Sequence, residues 1–303
     1  MTTSLRRLIP FHQRQLISSA LRRCMGSQWK SLAFRSIDRT PLTALRANRA
    51  FEPELKLLPL FLPKPGVVFD VGANKGDYTY VLEKTVGSEF TYAVEPLPHL
   101  CADLHRLFPR AHVLNMGLSD TCGTLTLKTP IIDGMPFWTR STLERFVDQG
   151  ETNAIFEQVP VTTLDLFCEQ SHLPRVRLIK IDVEGHERHV LAGAANILRT
   201  SRPALLVEIE QRHHTEPIAD LFHWIQQQGY LGAFFDIRAM ALRSLSQFSV
   251  DVHQRLSNLG GPNYVNNFFF IDSVSAKSTF EVVQCLLTNP AAVRSNFLEP
   301  PHA

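Results

Sequence analysis

The sequence predicts an α/β fold, a mostly parallel sheet with helices on both faces. Short apolar runs with strand-like composition recur between residues 67 and 272. Helix-like stretches separate most of them, and strand–helix alternation of this kind implies parallel pairing. The first unit also passes through two glycines, Gly72 and Gly76, straight from strand to helix. Ligands in such sheets sit beyond the carboxyl ends of the strands.

In chain order, residues 13–25 place Leu16, Ile17, Ala20, Leu21 and Cys24 on one helical stripe, with Arg14, Arg22 and Arg23 outside it. This helix has three readings: packing on the main domain or a second subunit, reversible contact with a membrane surface through residues 1–50, or an organelle-targeting segment. Pro53, Pro59, Pro63, Pro65 and Gly66 close the extension, so the boundary is placed there. VVFDVG (67–72) reads as a buried strand, followed by a helix from about Gly76 to Thr85. FTYAVEP (90–96) is a second strand, with a helix from about Pro98 to Phe108, and HVLNMGL (112–118) is a third. TLTLKT (124–129) alternates like a half-exposed strand. RLIKIDV (177–183) and ALLVEIE (204–210) are buried strands, with helices near 186–199 and 217–228. YLGAFFDI (230–237) and NFFFID (267–272) close the series. Residues 130–158 and 238–266 lack clean periodicity and read as long functional or disordered loops. The stretch at 280–289 is helix-like and suits packing on its own domain or on a partner, so a homodimer is left open. The division expected is an extension (1–65), a main domain (66–275) and a C-terminal helix and tail (276–303).

The composition bounds the function. The chain has 303 residues, 44% hydrophobic and 20% charged, which suits a globular protein with one sizeable domain. Residues 1–50 hold ten Lys/Arg and one acid, whereas the remainder holds 21 bases and 28 acids. A mildly acidic main domain argues against nucleic-acid binding. The five widely spaced cysteines contain no C-x-x-C pair, so free thiols in a reducing, cytoplasmic setting are expected, with neither disulfides nor a zinc site. No apolar run approaches the ~18 residues of a membrane span.

VVFDVGANKGDYTY (67–80) carries the strongest signal. Gly72 permits a sharp turn and a close ligand approach. A dinucleotide site would carry G-x-G-x-x-G, but this turn reads G-A-N-K-G and puts Asp70 two residues before its first glycine. An acid there suits a ligand with an ammonium group and no phosphate, as in S-adenosylmethionine. Glu95 ends the second strand, where a carboxylate accepts both ribose hydroxyls. NAD enzymes share that feature, so Glu95 does not choose between cofactors. The exit at Gly117, Leu118, Ser119 and Asp120 is a candidate adenine contact.

KIDVEGHE (180–187) is the second signal. Ile179, Ile181 and Val183 form an apolar face, and Lys180, Asp182 and Glu184 project to the other face or to the strand's end. Asp182 or Glu184 is a candidate to take a proton from an acceptor hydroxyl or to orient it, with His186 as an alternative base. Lys180 either pairs with these acids or stabilises a developing alkoxide. Glu208 and Glu210 with Asp182 suggest hard-oxygen ligands for a divalent cation; the competing readings are substrate contact by Glu208 or a pair with Arg212. No metal is assigned. His213 and His214 read as an exposed loop pair.

These segments together resemble the FkbM family of methyltransferases. The resemblance rests on VVFDVGANKGDYTY (67–80), AVEPLP (93–98), NMGLSD (115–120), VPVTTLD (159–165), LIKIDVEGHERHVLAGA (178–194), RPALLVEIE (202–210), the late GY (229–230) and NFFFID (267–272), and covers about residues 66–272. It implies a Rossmann-like methyltransferase fold with a seven-stranded sheet, S-adenosylmethionine as donor, usually a hydroxyl oxygen as acceptor, and Asp70, Gly72, Asn74 and Glu95 at the donor site; Gly76 completes the turn. The expected substrate is a sugar, glycan or small metabolite. A nicotinamide-dependent oxidoreductase is the alternative enzyme, although the G-x-G-x-x-G fingerprint is missing; Tyr78 and Tyr92 lack a Lys four residues on, whereas Tyr80 has Lys84 there. A methyltransferase-like binding domain without catalysis is the third reading.

Overall fold

A computed structural model describes residues 34–40, 45, 51–62, 66–259, 261 and 263–288. The helix expected over 13–25 lies outside them. Two sheets organise the described residues. The larger contains β1 (Val67–Val71), β2 (Thr91–Val94), β3 (His112–Leu114), β8 (Val176–Ile181), β9 (Ala204–Glu208), β10 (Tyr230–Asp236), β11 (Ala241–Ser244) and β12 (Asn267–Asp272). Their order is β11-β10-β12-β9-β8-β1-β2-β3. The five strands from β3 to β9 run parallel, and β12 is antiparallel to both neighbours. The strand order reverses between β1 and β8, which opens the crevice where ligands bind in such sheets.

This is the expected Rossmann-like architecture with one correction: the sheet has eight strands, not seven. The eighth forms because the chain doubles back after β10. Asp236 Oδ1 accepts from the backbone N–H groups of Arg238 and Ala239, closing a turn that lays β11 antiparallel on β10. An Asp that bonds backbone two residues on is a turn signal.

Period-two alternation decides what each face of the sheet receives. Val68, Leu178, Leu206 and Phe269 point to one face, where they pack with helices α3 (Asp77–Val86), α4 (Pro98–Leu107) and α10 (Ser273–Thr288). Phe69, Ile179, Val207 and Phe268 point to the other, toward α6 (Glu187–Ala192), α7 (Ala195–Thr200) and α8 (Ile218–Gln227). One helix was expected over 186–199. Two form, because Asp165, at the start of α5 (Leu164–Gln170), accepts from the N–H groups of Asn196 and Ile197 and caps a new helix there. The C-terminal helix packs on its own domain through Ala276, Val283, Leu286 and Leu287. The described parts of the extension, including α1 (Arg35–Arg39) and α2 (Glu54–Leu57), join the same core through Phe34, Ile37, Leu55, Leu57 and Phe61. Phe34 stacks on Tyr80, and Phe61 on Phe269. No helix of the described residues is long and apolar enough to cross a membrane.

The smaller sheet has the order β4-β7-β5-β6, built from β4 (Gly117–Leu118), β5 (Gly123–Ile132), β6 (Met135–Pro136) and β7 (Glu151–Thr162). The run 112–118 therefore does not stay in one strand. Asn115 Nδ2 donates to the carbonyls of Glu95 and Pro96, and the chain leaves the large sheet there. Residues 130–158, expected as loop, contain the tip of a long hairpin in which β5 and β7 pair from Gly123–Val161 to Ile132–Glu151. Its strand signal was hidden because most of 151–158 is half-buried or exposed and lacks alternating burial.

Candidate active site

The face alternation that sends Val68 and Leu178 into the core also stacks Asp70, Lys180, Asp182 and Glu208 on that side, at the carboxyl ends of their strands. Asp70 lies in register with Lys180 on one neighbour and Ala93 on the other, and Asn267 lies opposite Glu208. A cavity of about 1100 Å³ opens above these ends. Asp70, Gly72, Asn74, Asp182, Glu184, Glu208 and Glu210 line it, joined by Glu52 and Glu54 from the extension and Thr139 and Arg140 from the hairpin.

Gly72 is required by both dihedral and space. Its φ is +79°, and a Cβ would lie 1.8 Å from the carbonyl oxygen of Asp182. The expected result for Gly72→Ala is a loss of roughly 2–5 kcal/mol from left-handed strain and a clash with backbone that cannot yield. Thermal unfolding checks this, and a melting temperature within 2 °C of the parent would refute it. Gly76, with φ +84°, turns the chain into α3, and a Cβ there would meet the Phe108 ring at 2.5 Å.

Between these glycines the backbone donors are turned inward. Gly72 N and Ala73 N both donate to Val94 O, and Asn74 N donates to Glu95 Oε2 at 2.8 Å. Glu95 Oε1 accepts from Leu97 N at 3.0 Å. Burial raises Glu95 to about 7 despite these two bonds. Asp70 Oδ2 accepts from the Thr79 hydroxyl at 2.5 Å; burial raises this acid to about 6, opposed by that bond and by Lys180.

Lys180 is fully buried beneath the cavity floor. Its Nζ lies 3.7 Å from Asp182 Oδ2 and 3.9 Å from Glu208 Oε2, donates to Asn267 Oδ1 at 3.1 Å, and sits over the Tyr78 ring. Burial opposes the ammonium, but Asp182 and Glu208 raise it above the usual lysine range. One ammonium serves several acids, and burial together with Asp182 raises Glu208 well above the ordinary carboxylate range. The extension contributes here too: Glu52 Oε2 accepts from the Tyr78 hydroxyl at 2.5 Å and from Asn267 Nδ2 at 3.2 Å, and burial raises Glu54 to about 8.

Glu184 sits in the turn after β8 with φ 53°, its carbonyl bonded by the Thr142 hydroxyl. Its Oε2 lies 2.9 Å from His213 Nδ1. Burial raises Glu184 to about 7, with His213 acting against the rise. His213 is buried against Phe146, so the exposed pair expected at 213–214 is corrected. The short 3₁₀ turn Gln211–His213 folds it back onto Glu184. Arg212 pairs with Glu210 at 2.6 Å, not with Glu208, and also reaches Asp148, which Arg140 holds from the hairpin. Burial works against ionised Glu210, yet Arg212 holds it down at about 2.

Of the residues singled out in the sequence, Asp70, Gly72, Asn74, Asp182 and Glu184 meet at the cavity. Lys180 lies under it, and Gly76 and Glu95 shape its wall from behind. Ser119 and Asp120 lie outside the lining: Ser119 Oγ is 2.9 Å from His186 Nε2, and Asp120 Oδ2 is 3.0 Å from His189 Nδ1. Residues missed by sequence reasoning are Glu52, Tyr78, Arg140, His213 and Asn267. Only Asn267 left a signal, a polar residue heading an otherwise apolar strand.

A Rossmann-like sheet carries an acidic crevice at its strand-order reversal, where such folds bind their ligands. The profile of the methyltransferase FkbM domain matches residues 70–231, more than half of the chain. The chain belongs to the FkbM methyltransferase family. No curated protein matches it. Among solved structures, an FkbM methyltransferase from Methylobacillus flagellatus KT is 15% identical with a TM-score of 0.44, over 85% of this chain and 59% of that one. This chain thus spans less than two thirds of that protein's length. A precorrin-6y C5,15-methyltransferase from Geobacter metallireducens GS-15 is 11% identical (TM-score 0.37, 73% and 87% covered). A TehB-like SAM-dependent methyltransferase from Corynebacterium glutamicum is 14% identical (TM-score 0.37, 79% and 96% covered).

Proposed function

We propose that the protein transfers a methyl group from S-adenosylmethionine to a hydroxyl oxygen of a sugar, glycan or small metabolite. The observation that carries this reading is the inward-turned loop after β1. Its N–H groups at 72, 73 and 74 are spent on Val94 and Glu95, so none of the three is left for a phosphate. A pyrophosphate needs donors at that point, whereas an ammonium and ribose hydroxyls need acceptors. This fits Asp70 to the amino-acid end of the donor and Glu95 to the ribose.

When bound, S-adenosylmethionine supplies an electrophilic methyl carbon on a sulfonium. The residues of the chain do the rest. Glu184 takes the hydroxyl proton as the oxygen attacks and the carbon–sulfur bond breaks. An ionised carboxylate only accepts, so His213 donates to it from Nδ1 and fixes its direction. Asp182 orients the hydroxyl, and Lys180 holds Asp182 from below. The free thiols at Cys101, Cys122, Cys168 and Cys285 suit a reducing, cytoplasmic setting.

Calorimetric titration with S-adenosylhomocysteine and with NADH tests the donor. The expected outcome is binding of the first alone. Asp70 and Glu95, raised to about 6 and 7, lose protons when cationic or hydroxyl partners favour their ionised forms. Binding near pH 6.5 is therefore expected to release protons, read from titrations in buffers of different ionisation enthalpy. Tight NADH binding with no response to S-adenosylhomocysteine would overturn the assignment.

A further inference from the structure

Away from the cavity floor, three segments converge: the turn after β4 with Ser119 and Asp120, the hairpin loop with Glu144, and the start of α6 with His186 and His189. The two imidazoles stack with centroids 4.5 Å apart and planes within 17°. Each ring commits one nitrogen to an outer partner. His186 Nε2 is 2.9 Å from the Ser119 hydroxyl, and His189 Nδ1 is 3.0 Å from Asp120 Oδ2. The remaining nitrogens, His186 Nδ1 and His189 Nε2, face one oxygen, Glu144 Oε1, at 2.6 and 3.7 Å. Ligand atoms from all three residues lie within 4.8 Å of one another.

We propose that Glu144, His186 and His189 bind a divalent transition-metal ion of the zinc type, pinning the hairpin to the turn that carries Asp182 and Glu184. Two imidazole nitrogens and one carboxylate suit Zn²⁺, Co²⁺ or Ni²⁺, whereas Mg²⁺ and Ca²⁺ prefer oxygen alone. Metal-binding histidines characteristically give their second nitrogen to an outer carboxylate or other polar group, which fixes ring orientation. Asp120 and Ser119 stand in those places. The site is closed beneath by buried His186 and open above, where the side chains of Glu144 and His189 are 32% and 46% exposed. That leaves room for water as a further ligand. The same contacts contain a Ser119–His186–Glu144 chain with the spacing of a hydrolase triad. Ser119 is only 1% exposed and outside the cavity, so no substrate carbonyl reaches it.

The test titrates the untagged full chain, stripped with EDTA, with Zn²⁺ alone, and follows heat and melting temperature. Saturable uptake of one equivalent and a rise in melting temperature are expected. His189→Ala, at the exposed ring, is expected to weaken uptake at least tenfold and to abolish the rise, while its metal-free melting temperature stays near that of the parent. Should that variant fail to fold, Glu144→Gln gives the same readout. No saturable uptake by the parent, or uptake and thermal shift unchanged in a folded variant, would overturn the proposal.

Discussion

Glu184→Gln is expected to lower kcat by roughly 10²–10⁴-fold, the usual contribution of a positioned general base. Donor affinity should stay within about threefold, because a lost transition-state contact leaves ground-state binding intact. The pH profile separates this role from a structural one. Burial raises Glu184 to about 7, so the parent's kcat climbs with pH through that value as the carboxylate ionises, then levels. Glutamine has no proton to lose, and its profile should be flat across the same range. The step belongs jointly to Glu184 and His213, which share a hydrogen bond. An unchanged kcat, or a surviving acid limb in the variant, removes Glu184 from the role of base. Activity assays need an acceptor; methyl-labelled donor incubated with a native extract identifies one by what becomes labelled.

The largest effect on stability is expected at Lys180. Replacing it with Met keeps the volume and strips the buried ammonium from Asp182, Glu208 and Asn267. Removing one partner of a buried ionic group costs about 3–5 kcal/mol, because the acids left behind on the cavity floor lose their shared counter-charge. In a chain of this size that corresponds to a fall of roughly 5–8 °C in melting temperature. Adding Glu208→Gln should recover part of the loss, since one acid fewer then needs the missing charge. Thermal unfolding of the single and double variants decides it. A single variant melting within 2 °C of the parent would show that the carboxylates are not held by Lys180.

The large sheet was readable because its central strands are buried on both faces and therefore form near-continuous apolar runs, interrupted only by Asp70 in VVFDV and headed by Asn267 in NFFFI. The helices at 77–86, 98–107 and 218–227 followed from spacing, and the turn after β1 from two glycines and an acid. The long hairpin showed only in part: the alternation of TLTLKT marks the first half of β5, but its tip and most of β7 are half-buried or exposed and carry neither a continuous run nor an alternation. β11 was missed for the same reason, its four residues being half-buried or exposed.

Asp70, Lys180, Asp182 and Glu208 were destined for one face once each strand took its alternating pleat, and that much is local geometry. Which groups answer them is a matter of distant chain. Glu52 reaches Asn267 across 215 positions, and Glu144 reaches His186 across 42. His213 looked like a loop residue until a short turn carried it onto Glu184. Neighbours along the chain set strand, helix and turn through periodicity and φ. Pairings between charges depend on how those elements are stacked, and no spacing rule encodes that.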